Sequence, residues 1–188
     1  TALNRLKSGS IDENNYGYGW NQIKMLNGDL LHQAGFRGEG VTIAVLDNGF
    51  MNADQLSFLD SIWINEQVLS TYDFVNQQEI SFNTGSHGTK VLSVMAANTP
   101  ETLIGTAPKA NYHLLRTEIK DSESILEEYL WVCGAEYADS VGADIINSSL
   151  SYTEFDGGLH NHSFADLDGK TTIISKAAEI AFSKGILL

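Results

Sequence analysis

The apolar run VTIAVL at residues 41–46 constrains the fold of this chain more than any other feature. It is rich in β-branched residues, follows Gly40, and ends at the turn-forming stretch Asp47-Asn48-Gly49. A continuous apolar run of this length between turn residues is typical of a strand buried on both faces. Such strands belong to parallel sheets that are covered by helices on both sides.

Helical and strand patterns alternate along the rest of the chain. The predicted helices cover residues 29–34, 86–98, 124–140 and 171–184. The predicted strands after the first cover residues 111–117, 143–149 and 186–188. Ser124 with Glu127 fits a capping box, and Gly185 fits a helix C-cap. The alternation predicts an α/β fold, a mostly parallel sheet with helices on both faces in three α/β/α layers.

The two ends of the chain differ from this pattern. Residues 1–15 are polar and are predicted to be a loose lead-in to a domain covering residues 16–188. The apolar segment 186–188 has the composition of a central, buried strand, yet the sequence stops within it. We therefore expect the domain to be incomplete at its C-terminal end.

Charge and composition exclude several classes of partner. The net charge is −13 and the pI is about 4.6, whereas binding to nucleic acid requires clustered Lys and Arg. No apolar run approaches the roughly 20 residues of a membrane-spanning helix.

Cys133 is the single cysteine, so no intramolecular disulfide can form. It is predicted to be a small buried residue on a helix.

Asp47 and His87 are the candidate chemical groups. Asp47 follows the first strand, at the sheet edge where open α/β sheets bind ligands, although Asp-Asn-Gly is also strong turn chemistry. His87 lies at a predicted helix start, where an ionised carboxylate would offset the helix dipole and fix the imidazole tautomer. Gly85 and Gly88 near His87 are expected to leave room for a substrate. The alternative for His87 is a polar residue that caps the helix.

The order of the two groups leads to a family resemblance. Asp followed by His is the order in one known arrangement of the Ser-His-Asp triad. VTIAVLDNGF around Asp47 and SHGTKVLSVMAA around His87 resemble the aspartate and histidine motifs of the subtilisin-like serine peptidases. IGTAPKANYHLLRTE and GADIINSSLSY resemble two later segments of that family, in the same order. The resemblance covers about residues 16–188, the N-terminal part of the catalytic domain.

This resemblance implies roles for individual residues. Asp47 would orient His87, and His87 would be the general base. Ser149, Leu150 and Ser151 would line the substrate cleft and pair with an extended peptide. The family usually has Gly where Ser151 stands, so its side chain is expected to narrow the pocket.

Other positions bear on metals and on specificity. Gln22 matches a calcium-ligating glutamine of the family, but Gln55 lies where its aspartate partner is usual, so calcium is possible without support from spacing. No metal is expected at His160 and His162, which lack a third ligand, and segment 166–169 is predicted to lead into a helix. Glu118 is either a solvated carboxylate or a contact for a basic substrate side chain. Lys90 replaces the second histidine of the family motif.

The resemblance also implies parts that these 188 residues do not contain. The family's oxyanion asparagine follows the strand that segment 186–188 begins, and its nucleophile lies later, in a Gly-Thr-Ser-x-x-x-Pro motif. We therefore interpret the chain as a fragment of a secreted or cell-envelope serine endopeptidase that cleaves peptides or proteins. It would be inactive alone and completed by a second chain or a missing C-terminal segment. The alternative is a non-catalytic peptide-binding domain.

Overall fold

A four-stranded parallel sheet forms the centre of the structure, a computed structural model that describes residues 13–188. In chain order the strands are β1 (Thr42–Asp47), β2 (Val68–Asp73), β3 (Asn98–Thr99), β4 (Leu103–Ile104), β5 (Asn111–Arg116) and β6 (Ile145–Ser148). The main sheet has the order β2-β5-β1-β6, and β3 with β4 forms a small antiparallel hairpin.

Helices connect the strands and cover the sheet. They are α1 (Glu13–Tyr16), α2 (Trp20–Met25), α3 (Gly28–Gln33), α4 (Asp60–Ile64), α5 (His87–Ala96), α6 (Leu126–Ser140) and α7 (Ile173–Ser183). Two short 3₁₀ helices cover Ser57–Leu59 and Phe164–Asp166. The four predicted helices are confirmed as α3, α5, α6 and α7, with ends that shift by a few residues.

Alternate residues of β1 face the two helical layers. Ile43 and Val45 belong to an apolar cluster that includes Leu92 of α5. Ala44 and Leu46 belong to a second cluster, which contains Trp131, Ala135 and Ala138 of α6 and Ala181 of α7. Since both faces of β1 are buried, its apolar run is continuous rather than alternating. The predicted three-layer α/β fold is confirmed.

Strand β2 was not predicted from the sequence. It lies at the edge of the sheet and pairs with β5 alone. Its six residues, VLSTYD, include polar side chains, and most of them, among them half-exposed Leu69, are only partly buried. An edge strand needs no continuous apolar run, so its pattern resembles that of a loop.

The predicted strand at residues 186–188 lies at the opposite edge. Leu187 forms a single parallel bridge with Ile145 of β6 and is 58% exposed, whereas Ile186 is buried. The central position expected from its composition is therefore not observed among residues 13–188. Gly185 has φ +99° after α7, which confirms the predicted C-cap. The lead-in predicted for residues 1–15 falls mostly outside the described residues.

Two local predictions on α6 need correction. Glu127 accepts a hydrogen bond from the Ser124 backbone N–H at 2.9 Å, so half of the capping box forms. The Ser124 hydroxyl does not accept a bond from the Glu127 N–H, which donates to the Ser124 carbonyl instead. Cys133 is exposed, so its predicted burial is wrong. The buried stripe of α6 contains Trp131, Gly134, Ala135 and Ala138 at helical spacing, and position 133 points away from it. Within residues 13–188, no helix has the length and apolarity needed to cross a bilayer.

Candidate active site

Asp47 is the last residue of β1 and is fully buried. Its Oδ1 atom accepts a hydrogen bond from the Asn48 backbone N–H at 2.7 Å. Burial raises the pKa of the Asp47 carboxyl, and the hydrogen bonds from His87 and Asn48 oppose this effect. The carboxylate therefore stands at the carboxyl end of a central strand, as predicted, with its charge partly compensated.

His87 is the first residue of α5 and faces Asp47. Its Nδ1 atom lies 2.9 Å from each oxygen of the Asp47 carboxylate. Because a carboxylate accepts hydrogen bonds, Nδ1 donates, and in neutral imidazole Nε2 is then left as the basic nitrogen. The His87 side chain is 46% exposed, and its Nε2 has no hydrogen-bond partner among residues 13–188. The pair can thus accept a proton from a group that approaches from the cleft.

Glycines allow the His87 helix to approach Asp47. A Cβ atom on Gly88 would stand 2.4 Å from the Gly49 carbonyl oxygen and 2.9 Å from Asp47 Cβ. A Cβ on Gly85, whose φ is +63°, would stand 2.2 Å from the Asn48 carbonyl oxygen. The sequence led us to expect that these small residues leave room for substrate. That expectation is wrong, because the space is filled by the loop that follows Asp47.

Hydrogen bonds join the same two loops. The Met51 N–H donates to the Gly85 carbonyl at 2.9 Å, and the Thr89 hydroxyl donates to the Met51 carbonyl at 2.8 Å. These bonds connect the segment after Asp47 to both sides of His87. The relative position of Asp47 and His87 is therefore determined by backbone contacts as well as by their own hydrogen bonds.

A buried ion pair next to Asp47 was missed by sequence reasoning. Arg116, at the end of β5, is level with both Asp47 and Asp73 in the sheet. Its guanidinium donates to Asp73 Oδ2 at 2.9 Å and to the Asn48 carbonyl at 3.0 Å. The sequence does contain a signal for this pair, because β1, β2 and β5 each end in a charged residue. The signal was not recognised, since β2 was not predicted as a strand.

The predicted substrate-binding segment, residues 149–151, follows β6 at the same edge of the sheet. Ser148 pairs with Leu46 in the parallel register, so Ser149 continues at the level of Asp47. Ser149 and Ser151 are exposed, and Leu150 packs partly buried against the cluster on α6. The structure thus brings this segment to the strand end that carries Asp47.

Glu118 lies on the other side of Asp47. The Thr117 N–H donates to the Asp47 carbonyl oxygen at 3.0 Å, which holds the segment after β5 beside the end of β1. Burial, together with the nearby charges of Glu127 and Asp47, raises the pKa of the Glu118 carboxyl to about 7. The position at the rim of the site agrees with the sequence-based expectation.

Most of the other histidines have structural partners. His32 is buried between the Tyr16 hydroxyl and the Thr106 carbonyl, each at 2.9 Å from a ring nitrogen. His113 contacts the Ser70 hydroxyl at 2.6 Å, and His162 pairs with buried Glu128 at 2.5 Å. Burial lowers the pKa of His32 and of His113. Two of these rings bond to neutral groups and the third to a single carboxylate, so each ring is held by contacts within the fold.

The residues considered for metal binding lie mostly at the surface. Gln22 is exposed and borders an apolar depression with Tyr18, Ile23 and Leu26, and Gln55 is also exposed. Within the described part of the chain, no group of three or more His, Cys, Asp or Glu side chains is arranged to hold a metal ion. Segment 166–169 leads into α7, as predicted, because Asp168 accepts hydrogen bonds from the N–H groups of Lys170 and Thr171.

Comparison with known proteins matches most of the chain to one family. Residues 38–187 match the model described as the subtilase family, peptidase S8. Subtilisin E from Bacillus subtilis (strain 168) is 33% identical over 136 residues, which cover 71% of this chain and 32% of that protein. Thermitase from Thermoactinomyces vulgaris is 30% identical over 125 residues, 65% of this chain and 41% of that protein. The chain spans about a third of the length of the subtilisins that it matches.

Solved structures agree on the fold. MycP1 with its N-terminal propeptide removed superposes with a TM-score of 0.60 at 18% identity, covering 88% of this chain and 45% of that one. A cold-adapted subtilisin-like serine proteinase superposes with a TM-score of 0.57 at 21% identity, covering 80% of this chain and 45% of that one. At these identities the likeness concerns the fold alone.

Proposed function

The chain belongs to the subtilase family, and from this premise we propose that it forms part of a serine endopeptidase in which Asp47 and His87 are catalytic. One observation carries the proposal. His87 Nδ1 lies 2.9 Å from both oxygens of buried Asp47, and its ring is 46% exposed. A protein that only bound peptides would need neither a buried carboxylate nor this orientation of the imidazole.

The geometry supports the following chemistry. Asp47 holds His87 in the tautomer with the proton on Nδ1, which leaves Nε2 free to take the proton of a serine hydroxyl. The serine oxygen attacks the peptide carbonyl carbon, and His87 then gives the proton to the leaving amine. Water repeats the sequence on the acyl-enzyme, and the acid product and the free serine are released. Asp47 stabilises the imidazolium that forms in each half of the reaction.

The serine itself is proposed to come from outside residues 1–188. Among residues 13–188, no serine hydroxyl is hydrogen-bonded to His87. Ser86 precedes His87 in sequence, but the family's nucleophile opens a different helix. Asp47 and His87 would then be two of three triad groups, and hydrolysis would require the segment or chain that supplies the third.

Ser149, Leu150 and Ser151 are proposed to bind the peptide. They extend from β6 at the level of Asp47, and the two serines are exposed. An extended substrate can pair with such a segment through main-chain hydrogen bonds. The hydroxymethyl group of Ser151 would narrow the adjacent pocket and favour small substrate side chains there. Family membership also supports a secreted or cell-envelope protease, which fractionation of the source cells would test.

The experiment uses the complete protein that contains these residues. We expect it to cleave an internally quenched peptide library and to react covalently with a fluorophosphonate, which labels activated serines. Sequencing the labelled peptide would identify the nucleophile. The variant His87→Ala should lose both cleavage and labelling, whereas His160→Ala, which removes an exposed imidazole, should lose neither.

Two results would contradict the proposal. Peptide binding without cleavage and without fluorophosphonate labelling would instead favour a non-catalytic binding domain. Cleavage that persists in His87→Ala would show that another group is the base.

A further inference from the structure

The main chain of the proposed peptide-binding segment is not held by the sheet. The ladder between β1 and β6 ends where Ser148 pairs with Leu46. Among residues 13–188, no main-chain N–H or carbonyl group of residues 149–152 forms a hydrogen bond. These groups are therefore free to pair with an extended peptide. The position of the segment must then be determined by contacts on either side of it.

Helix α6 holds the first end of the segment. The indole N–H of Trp131 donates a hydrogen bond to the Ser148 hydroxyl at 2.9 Å. Trp131 is 2% exposed and belongs to the same apolar cluster as Tyr152, and Leu150 packs against that cluster. Alternate side chains of the segment thus face α6, while the two serines between them are exposed. The indole fixes the point at which the segment leaves β6.

The same helix holds the second end through a loop at residues 153–162. The backbone N–H of His162 donates to the Thr153 carbonyl at 2.9 Å and closes this loop. Nε2 of His162 donates to the Glu128 carboxylate of α6 at 2.5 Å. The ring of buried Phe155 meets the imidazole edge-on, with the ring centroids 5.4 Å apart. His162 therefore connects Thr153, directly after the segment, to α6.

Burial makes the bond between His162 and Glu128 a strong anchor. The Glu128 side chain is fully buried, and that of His162 is 15% exposed. A buried carboxylate that loses its partner is strongly destabilising, whereas an exposed pair contributes little. Glu128 precedes Trp131 by three residues, so both lie on one face of α6. A single helix therefore fixes both ends of the segment.

We propose that Glu128, Trp131 and His162 are positioning residues, which hold segment 149–151 in the place where it pairs with the substrate main chain. They act through Ser148 and Thr153 rather than by contact with the peptide. If either anchor is lost, peptide binding must also order the segment, and this lowers affinity. Groups on β1 and α5 are not attached to these anchors. This inference rests on the proposed peptidase function.

The test compares a quenched peptide with p-nitrophenyl acetate, whose acetyl group is too short to reach the segment. In the complete enzyme, His162→Ala should raise KM for the peptide about tenfold and change ester hydrolysis less than about twofold. His162→Gln places an amide N–H near the position of Nε2 and should restore most of the affinity. The matched control His160→Ala removes an exposed imidazole from the same loop and should leave KM unchanged.

A second pair of variants tests the other anchor without leaving a buried charge unpaired. Trp131→Phe keeps a buried ring but removes the N–H donor, and Ser148→Ala removes its acceptor. Each should raise KM for the peptide and spare the ester. Because both variants break the same bond, the double variant should lose no more than the larger of the two single losses. Additive losses would show that the bond between these residues does not position the segment.

A third measurement does not depend on turnover. Calorimetry of the peptide with His87→Ala and with His87→Ala/His162→Ala should show an increase of about tenfold in Kd. A KM that His162→Ala leaves unchanged, or an equal loss of peptide and ester hydrolysis, would overturn the inference and leave the peptidase function intact. Failure of the wild-type enzyme to cleave any peptide or to react with a fluorophosphonate would instead remove the proposed function.

Discussion

Gly88 packs directly against Asp47. A Cβ atom at position 88 would stand 2.9 Å from Asp47 Cβ and 3.0 Å from Asp47 Cγ, with the Gly49 carbonyl oxygen at 2.4 Å. Real Cβ atoms do not approach other atoms so closely. The start of α5 and the end of β1 are therefore in backbone contact, and this contact sets the position of the neighbouring residue, His87.

The first prediction concerns this contact. Gly88→Ala should force α5 away from Asp47, with a loss of stability of about 1–3 kcal/mol from overpacking. A displacement of about 1 Å at a catalytic group can lower the rate about a hundredfold, so kcat should fall by roughly that factor. Thermal unfolding and peptide cleavage measure the two effects. Lys90→Ala, an exposed change on the same helix, serves as the control. Normal activity in Gly88→Ala would show that the loop after Asp47 moves to accommodate the added methyl group without displacing His87.

The second prediction concerns the charge of Asp47. Asp47→Asn keeps the shape but presents an amide N–H to His87, which favours the wrong imidazole tautomer. We expect kcat to fall on the order of ten-thousandfold, because replacing the triad aspartate has an effect of this size in other serine peptidases. The His87 Nδ1–H resonance in the NMR spectrum should also disappear. Asp54→Asn changes an exposed aspartate and should affect neither readout.

The third prediction follows from the same variant and concerns stability. Burial raises the pKa of the folded-state Asp47 carboxyl above its ordinary value. Protonation of the Asp47 carboxyl therefore stabilises the folded protein. This stabilisation is fully present below the ordinary pKa and is lost as the pH rises through the raised pKa. Asp47→Asn should therefore unfold at a higher temperature than wild type at neutral pH, with the difference vanishing in acid. A variant that is less stable at neutral pH would show that the bond to His87 outweighs burial.

The fourth prediction tests the ion pair between Arg116 and Asp73. Arg116→Met leaves a buried carboxylate without its cation and should lower the free energy of unfolding by about 3–5 kcal/mol. Adding Asp73→Asn should recover part of that loss, because the unpaired charge is removed. Lys109→Met breaks the exposed pair with Glu39 and should cost less than about 1 kcal/mol. Similar losses in the two single variants, measured by denaturant unfolding, would contradict the assignment.

Local patterns determined the central part of this molecule. The run at residues 41–46 predicted a strand buried on both faces, because burial on both sides requires an unbroken apolar sequence. The amphipathic patterns of α5, α6 and α7 predicted the covering helices. The spacing and order of the motifs around Asp47 and His87 indicated the family before any contact between the two residues was known. Each of these conclusions depends on neighbours in the sequence.

The tertiary structure decided what depends on distant neighbours. The close packing of Gly88 against Asp47 and the pairing of Arg116 with Asp73 depend on the strand order β2-β5-β1-β6, which brings three strand ends to one edge. Exposure of Cys133 likewise depends on which side of α6 meets the sheet. A sequence shows that a residue is small, charged or apolar. Whether that property serves packing, pairing or binding depends on atoms that the fold brings from elsewhere in the chain.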